Sequence, residues 1–489
     1  MSALKKLASQ TAVYGLSQIV GRFVNYLLVP LHTALFATSE YGVNTLMYSY
    51  VTFFNVLLTY GMETAFFRFS TKHERPEDVY ATGLRSLLMS SSLFVVLFSL
   101  FASPVASLIR LPQHPEYVIY FTLIIALDAI SALPFAYLRH HNKPLRFALI
   151  KNINIFTNIL LNLYFLLLCP YVHQHHQVLL PFFDGSVNVG MIFISNLVAS
   201  SITIPLLIPE FKAMIPGKFD VLLWRQMLAY ALPLMVVGFA GMINETLDRT
   251  IIAYFYATPE EGLAANGIYG ANYKLSILMT LFIQAFRYAA EPFFFSHAKT
   301  DDKRTVYAQV MDYFVLVCLG LFLGVTLYID VCKYFLDGNY WEGLHVVPVL
   351  LIANMFLGIY YNLSVWYKLS DQTNKGAMIS LIGAGITIAA NFILVPIMGY
   401  TGAAWATLIC YVSMTLICYV MGMKYYPIPY HTIKLMGYII FAIVIYAAAV
   451  LIKENTASLT TQFILNALLM IIFAGVVFVA ERRYRRVLK

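Results

Sequence analysis

The chain has 489 residues, of which 60% are hydrophobic and only 11% charged, and its mean hydropathy is +0.73. That hydropathy excludes the set of about three soluble domains that the length alone would suggest. The net charge of +8 carries no implication of nucleic acid, because basic loops beside anionic headgroups account for it.

A membrane-spanning helix needs about 20 mostly apolar residues. In chain order such stretches fall at 11–36, 42–68, 82–108, 116–138, 147–169, 186–208, 226–255, 263–293, 305–329, 344–367, 377–395, 400–421, 434–452 and 461–480. The expectation is an all-α polytopic protein with 14 transmembrane helices. Lys5 and Lys6 precede a first stretch that is long and lacks a small-residue cleavage site, so it reads as a span that is retained. The gaps between spans are short apart from 170–185 and 330–343.

The basic residues divide between those gaps unevenly. Twenty-four of the 32 Lys and Arg residues lie in one alternating set, from Lys5 to Lys489. The other set holds Arg110, Lys333 and Lys453, and five basic residues fall inside apolar stretches. This asymmetry is the positive-inside pattern with both termini cytoplasmic. The five cysteines form no CxxC pair and lie in or near spans, which favours packing over redox or metal chemistry.

The chain also reads as duplicated. LPFAYLRHHNKPLR at 133–146 turns at Asn142-Lys143, and VWYKLSDQTNKG at 365–376 turns at Asn374-Lys375 in the same topological place. The expected lobes are 1–210 (helices 1–6) and 211–423 (helices 7–12), followed by 424–489 with two further helices and a basic tail. Two six-helix halves of like orientation would be related by an axis along the membrane normal.

Four stretches carry a family resemblance: AVYGLSQIVGRFVNYLLVPLHTALFATSEYG at 12–42, YGMETAFFRF at 60–69, YLRHHNKPLR at 137–146 and NFILVPIMGYTGAAWAT at 391–407. They resemble the oligosaccharide-lipid flippases of the multidrug/oligosaccharidyl-lipid/polysaccharide exporter superfamily, the bacterial O-antigen and capsule repeat-unit transporters. The resemblance covers essentially the whole chain, but its motifs specify the family better than the cargo. It implies two six-helix lobes in a V-shaped pseudo-twofold arrangement and alternating access in the bacterial inner membrane. The cargo it implies is a polyprenyl-diphosphate-linked oligosaccharide for surface polysaccharide or lipopolysaccharide synthesis. Expected partners are that cargo, anionic membrane lipids and a polysaccharide polymerase or ligase, with no nucleic acid.

Ionisable groups inside spans are costly and mark pathways or partners. Arg22 lies midway along the first span, Arg249 in the seventh, and Lys274 and Arg287 in the eighth. These four, with Asn25, are the candidate cargo-binding residues, since guanidinium and ammonium groups replace the hydration of a diphosphate. Competing readings stay open. Glu245 and Arg249 have i,i+4 spacing and can pair within one helix, while Arg287 and Arg85 lie near the cytoplasmic face and can snorkel to headgroups.

Glu63, Asp128, Glu245 and Asp248 are the candidate ion-coupling or gating residues, either taking up a proton or holding Na+. Asp128 is equally readable as a satisfied interhelical hydrogen-bonding group. Asn154, Asn158 and Asn162 fall on one helix face, as a hydrated path or as interhelical glue. No cofactor or metal site is expected. His173, His175 and His176 read as a wet loop, and no nucleotide-binding or HExxH motif is present. The chain therefore reads as a transporter, with two alternatives. One is a cation-coupled multidrug exporter of the same superfamily. The other is a membrane glycosyltransferase or polymerase, for which Asp184 and Asp337 are the exposed carboxylates.

Overall fold

In a computed structural model, residues 20–21, 23–297, 303–456 and 458–487 are described. Among them the fold is all-helical. Helix α1 is Val29–Leu35, α2 Thr38–Thr59, α3 Met62–Ser70, α4 Pro76–Leu100, α5 Pro115–His140 and α6 Pro144–Leu163. Next come α7 Gly190–Leu206, α8 Val221–Tyr254, α9 Pro259–Leu275, α10 Ile277–His297 and α11 Lys303–Leu327. The chain continues with α12 Val347–Leu363, α13 Thr373–Met398, α14 Tyr400–Tyr425, α15 Thr432–Asn455 and α16 Leu459–Val487.

Several of these starts are written locally. Pro76, Pro115, Pro144 and Pro259 occupy first positions, where the missing N–H would have no helical partner anyway. Asp220 caps α8 by accepting from the amides of Leu222 and Leu223 at 2.7 and 3.1 Å. Proline also sits inside α5, α7, α8 and α13.

Among the described residues, ten helices are long and apolar enough to cross a bilayer, and Phe23–Leu35, Gly190–Leu206 and Ile277–Tyr288 are shorter apolar helices. Every expected stretch contains helix, but this measure does not reproduce a count of fourteen. Four expected stretches fall outside the ten, 11–36, 42–68, 186–208 and 263–293, and two of them are broken. The stretch 42–68 breaks at Tyr60 (φ 32°) and Gly61 (φ 71°) into α2 and α3, and α2 is rich in Asn, Ser, Thr and Tyr. The stretch 263–293 breaks at Ser276 between α9 and α10.

The repeated turn is present in both places, in shifted register. Asn142 and Asp371 both adopt left-handed φ, 54° and 55°. The amides that follow them, Lys143 and Gln372, reach back five residues to Leu138 O and Tyr367 O at 2.9 and 2.8 Å, the Schellman closure of a helix end. The structural counterpart of Asn142 is thus Asp371, three residues before Asn374.

The chain forms two compact units, one up to Gly270 with Thr387–Tyr400, the other Ala271–Ile386 with Thr401 onward. In the first, α2 and α8 pack through hydroxyl pairs: Ser49–Thr250 at 3.2 Å, Thr52–Thr246 at 3.1 Å and Tyr50–Tyr254 at 3.2 Å. Lipid tails are as apolar as leucine, so such pairs and close backbone approach hold helices together there. Close approach is supplied by Gly42 on α2 and Gly267 on α9. A Cβ on Gly42 would lie 1.8 Å from Leu263 O, and one on Gly267 1.9 Å from Thr38 O. Asn266 Nδ2 donates to Gly42 O at 3.2 Å beside this crossing.

In the second unit, Asp312 on α11 accepts from His431 at 2.7 Å and from Lys434 on α15 at 2.6 Å. Lys434 also pairs with Glu481 on α16 at 2.9 Å. At the other end of these helices Lys333 and Lys453 both pair with Asp330, at 2.9 and 2.7 Å, and Asn466 donates to Leu327 O at 2.6 Å.

Candidate functional site

Four helical faces of the first unit enclose a cavity of about 530 Å³. From α5 come Asp128, Ser131, Ala132, Phe135 and Arg139; from α6, Phe147, Lys151 and Asn154; from α7, Asn196, Ser200 and Thr203; from α2, Asn55 and Thr59. Spacings of three and four residues place each set on one face of its helix. Glu63 completes the lining from α3, just beyond the Tyr60-Gly61 break.

The cavity holds two carboxylates and two bases. Glu63 Oε1 accepts from Arg139 Nη2 at 2.7 Å, with both side chains partly solvent-accessible. Solvent screening therefore keeps this ion pair modest in strength. The Arg139 guanidinium also lies over Phe67 at 5.4 Å and Phe147 at 6.0 Å. Its Nε is buried without a hydrogen-bond partner among the described residues, a cost that an unfilled aqueous or polar ligand contact would relieve. Lys151 Nζ sits 4.1 Å from the centre of the Phe135 ring and within electrostatic reach of Asp128.

Asp128 Oδ1 accepts from Ser200 at 3.1 Å. The Asp128 side chain is exposed and lines the cavity. Along α5, Asp128 and Arg139 are eleven residues apart, about 16 Å at the helical rise. The cavity thus runs from a basic mouth near the end of α5 to a carboxylate deep in the helix layer. Chemically it can exchange partners: a proton or cation reaching a carboxylate releases a base, and an arriving anion releases a carboxylate.

Glu63 and Asp128, singled out from sequence, are therefore brought together in one cavity. Arg139 and Lys151 belong to the alternating basic set of the loops and span ends, yet the structure places both on the cavity, Lys151 on the face of α6 that carries Asn154. The signal was in the sequence, since Lys151, Asn154, Asn158 and Asn162 share one face. Only the head of that stripe lines the cavity. Asn154 donates to Thr203 at 3.1 Å, while Asn162 contacts His32 at 3.0 Å and donates to the Asn158 carbonyl at 2.8 Å. The far end of the stripe is interhelical glue.

The remaining candidates are dispersed. Arg22 lies outside the described residues. Asn25 is exposed and accepts from Asn158 at 3.4 Å. Arg249 donates to the backbone carbonyl of Glu245 at 2.9 Å, and its Nη1 lies 3.8 Å from Asp248 Oδ1. Glu245 is exposed. Asp248 is buried and accepts from Tyr269 at 2.5 Å and from the Arg249 amide at 2.8 Å. Lys274 is half-buried at the end of α9, in the second unit. Arg287, in the same unit, stacks 4.0 Å over the Tyr361 ring.

Both loop carboxylates accept from backbone amides, Asp184 exposed and Asp337 half-buried. Asp184 accepts from the Ser186 amide and hydroxyl at 2.9 Å each, and these bonds hold it below the usual carboxylate range. Asp337 accepts from the Asn339 amide at 3.0 Å at a helix start. Among the described residues, no group of three or more His, Cys, Asp or Glu side chains is arranged to hold a metal ion.

Residues 33–346 match the family model described as "Polysaccharide biosynthesis protein". No curated protein matches the chain. Among solved structures, the lipid II flippase MurJ in an inward closed conformation is similar with a TM-score of 0.70 and 15% identity, covering 98% of this chain and 99% of that one. An inward-facing multidrug resistance MATE family transporter of the MOP superfamily is similar with a TM-score of 0.61 and 12% identity, covering 87% and 94%. An outward-facing MATE transporter gives a TM-score of 0.58 at 13% identity, covering 87% and 98%.

Proposed function

Because the chain belongs to the polysaccharide biosynthesis protein family, we propose that it is a flippase carrying a polyprenyl-diphosphate-linked oligosaccharide from the cytoplasmic to the outer leaflet. The observation that carries this reading is a flippase-like fold over the whole chain, combined with a wet, charge-balanced cavity inside the helix layer. No covalent bond is made or broken. Lobes 1–210 and 211–423 exchange access, and residues 424–489 accompany them. Both termini are cytoplasmic in the inner membrane, where the product feeds a polymerase or ligase of O-antigen or related polysaccharide synthesis.

In this reading the cargo head group meets Arg22, Asn25, Arg249, Lys274 and Arg287, whose charges replace lost hydration of the diphosphate. Energy enters at Glu63 and Asp128. Na+ or H+ arriving at Asp128 weakens its hold on Lys151, and the freed charge redistributes over Arg139 and Glu63. Asp248, locked by Tyr269 beside Arg249, with Glu245 one turn earlier, serves as a gate. A coupling ion biases the exchange only to the extent that it binds the two access states differently.

The similarity of fold to MATE transporters favours one second reading, a cation-coupled multidrug exporter. Purified protein in liposomes separates the two. A labelled lipid-linked oligosaccharide is flipped, and flipping falls at least tenfold in Arg22→Ala or Lys274→Ala protein. Collapse of the Na+ or H+ gradient slows wild-type protein and leaves Asp128→Asn protein unchanged. Efflux of cationic drugs with no movement of the lipid-linked sugar would overturn the flippase reading in favour of the exporter.

A further inference from the structure

We propose that a lateral groove between α2, α4 and α8 is a binding site for one anionic phospholipid, with an acyl chain along the groove and the phosphate at Arg225 and Arg85. The inference rests on membrane residence and does not depend on the cargo. The groove has a volume of about 690 Å³ and an apolar lining that includes Leu57, Met89, Leu93, Leu228, Leu232 and Met235. Met89 is 70% and Leu93 59% exposed, so the groove opens sideways into hydrocarbon. From Val221 to Met235 it follows fourteen residues of α8, about 21 Å. That is enough for a chain of one leaflet in a core of about 30 Å.

The loop end of the groove is polar. Trp224 Nε1 donates to Ser86 Oγ at 2.8 Å, and the Tyr60 hydroxyl lies 2.7 Å from the same oxygen. Indole and phenol groups of this kind favour the headgroup boundary. Next to this cluster in sequence are two arginines. Arg85 donates to Gly217 O at 3.0 Å, which leaves its other N–H groups without a protein partner among the described residues. Arg225, next to Trp224 and one turn after Val221 on α8, is exposed and has no protein partner among the described residues either.

Two nearby carboxylates accept from backbone amides. Asp78 accepts from the Lys218 amide at 2.7 Å and Asp220 caps α8. Arg85 and Arg225 thus offer N–H groups without a protein partner among the described residues at the loop end, above a hydroxyl and indole patch and then hydrocarbon-lined walls. A glycerophospholipid reproduces that order: phosphate, ester carbonyls, acyl chain. An isoprenoid phosphate has hydrocarbon directly after the phosphate and leaves the polar patch unmatched, which favours the phospholipid.

The test uses full-length protein in nanodiscs, reading Trp224 fluorescence as the difference between wild type and Trp224→Phe. Brominated phosphatidylglycerol is compared with brominated phosphatidylcholine as quencher. The expected result is about fivefold preference for the anionic lipid, the factor for one basic side chain at the membrane surface. Arg225→Gln abolishes the preference, Arg225→Lys retains it, and Leu93→Phe, which fills the groove, removes quenching by both lipids. Equal quenching by the two lipids in wild-type protein would overturn the proposal, as would an unchanged preference in Arg225→Gln. Displacement of the brominated lipid by equimolar undecaprenyl phosphate would also overturn it, by assigning the groove to an isoprenoid.

Discussion

The crossing of α2 and α9 yields a prediction of definite sign. In Gly42→Ala protein the new methyl group would lie 1.8 Å from Leu263 O, against about 3.5 Å for an ordinary contact. The obstacle is backbone, so no side-chain rotation relieves it and the helices must separate. Overpacking of this kind costs about 1–3 kcal/mol. Loss of the Asn266–Gly42 hydrogen bond adds about 1 kcal/mol, offset by about 0.5–1 kcal/mol from placing Ala for Gly in a helix. The net cost of about 1–3.5 kcal/mol corresponds to a Tm lower by about 2–14 °C, at about 2–4 °C per kcal/mol. Thermal unfolding of purified protein in detergent measures it. Gly241→Ala is the internal control: nothing lies within 4 Å of its Cβ position, so only the helix gain remains and Tm rises slightly. A Gly42→Ala protein that melts at or above wild type would refute the argument.

Three further outcomes follow from the same structure. Arg146 makes a two-point contact with Glu210, which is 3% exposed, at 2.8 and 3.1 Å; Arg146→Met strands that carboxylate at a cost of up to about 3 kcal/mol, and adding Glu210→Leu restores much of the lost Tm. Burial pushes the Asp330 carboxyl up, but hydrogen bonds from Lys453 and Lys333 outweigh it and hold the group below its ordinary value. Its stabilising contribution is thus complete above about pH 4 and lost as pH falls further, so the Tm gap between wild type and Asp330→Asn is constant from pH 8 to 5 and closes in stronger acid. Lys151→Met and Asp128→Asn each lower gradient-driven flipping, and their effects combine to less than their sum, because both act on one cavity; strict additivity in a transport assay would show that the two residues act separately.

Much of the fold was legible because apolar length and flanking charge are local properties. The spans, the intramembrane Asp128 and the asparagine face all come directly from periodicity. The cavity was legible only in part. Glu63 and Asp128 stood out as charges in apolar stretches, whereas Arg139 and Lys151 sit near span ends, where basic residues normally report orientation. What makes them cavity residues is the convergence of α5 and α6 with α7, α2 and α3, a long-range event with no local trace. The same limit applies to Arg249. Its i,i+4 spacing from Glu245 suggests a side-chain pair, whereas in the structure Arg249 donates to the Glu245 backbone carbonyl with the Glu245 side chain exposed. In the repeated turn, matching by Asn-Lys identity misplaced the equivalence by three residues, because left-handed φ is open to Asp371 as well as Asn142.

The two clusters of opposite charge in the second unit have a mechanical consequence. Asp312 fastens one end of α11 to α15, and through Lys434 to α16; Asp330 and the Leu327 carbonyl fasten the other end to the same pair. From Asp312 to Leu327 the attachment points are about 22 Å apart along α11. A helix pinned at one point can swivel, but one pinned at two separated points can neither slide nor turn against its neighbour. The last two helices are therefore a splint. Any displacement of α11 carries them along, and they widen whatever body α11 moves with without adding a joint to it.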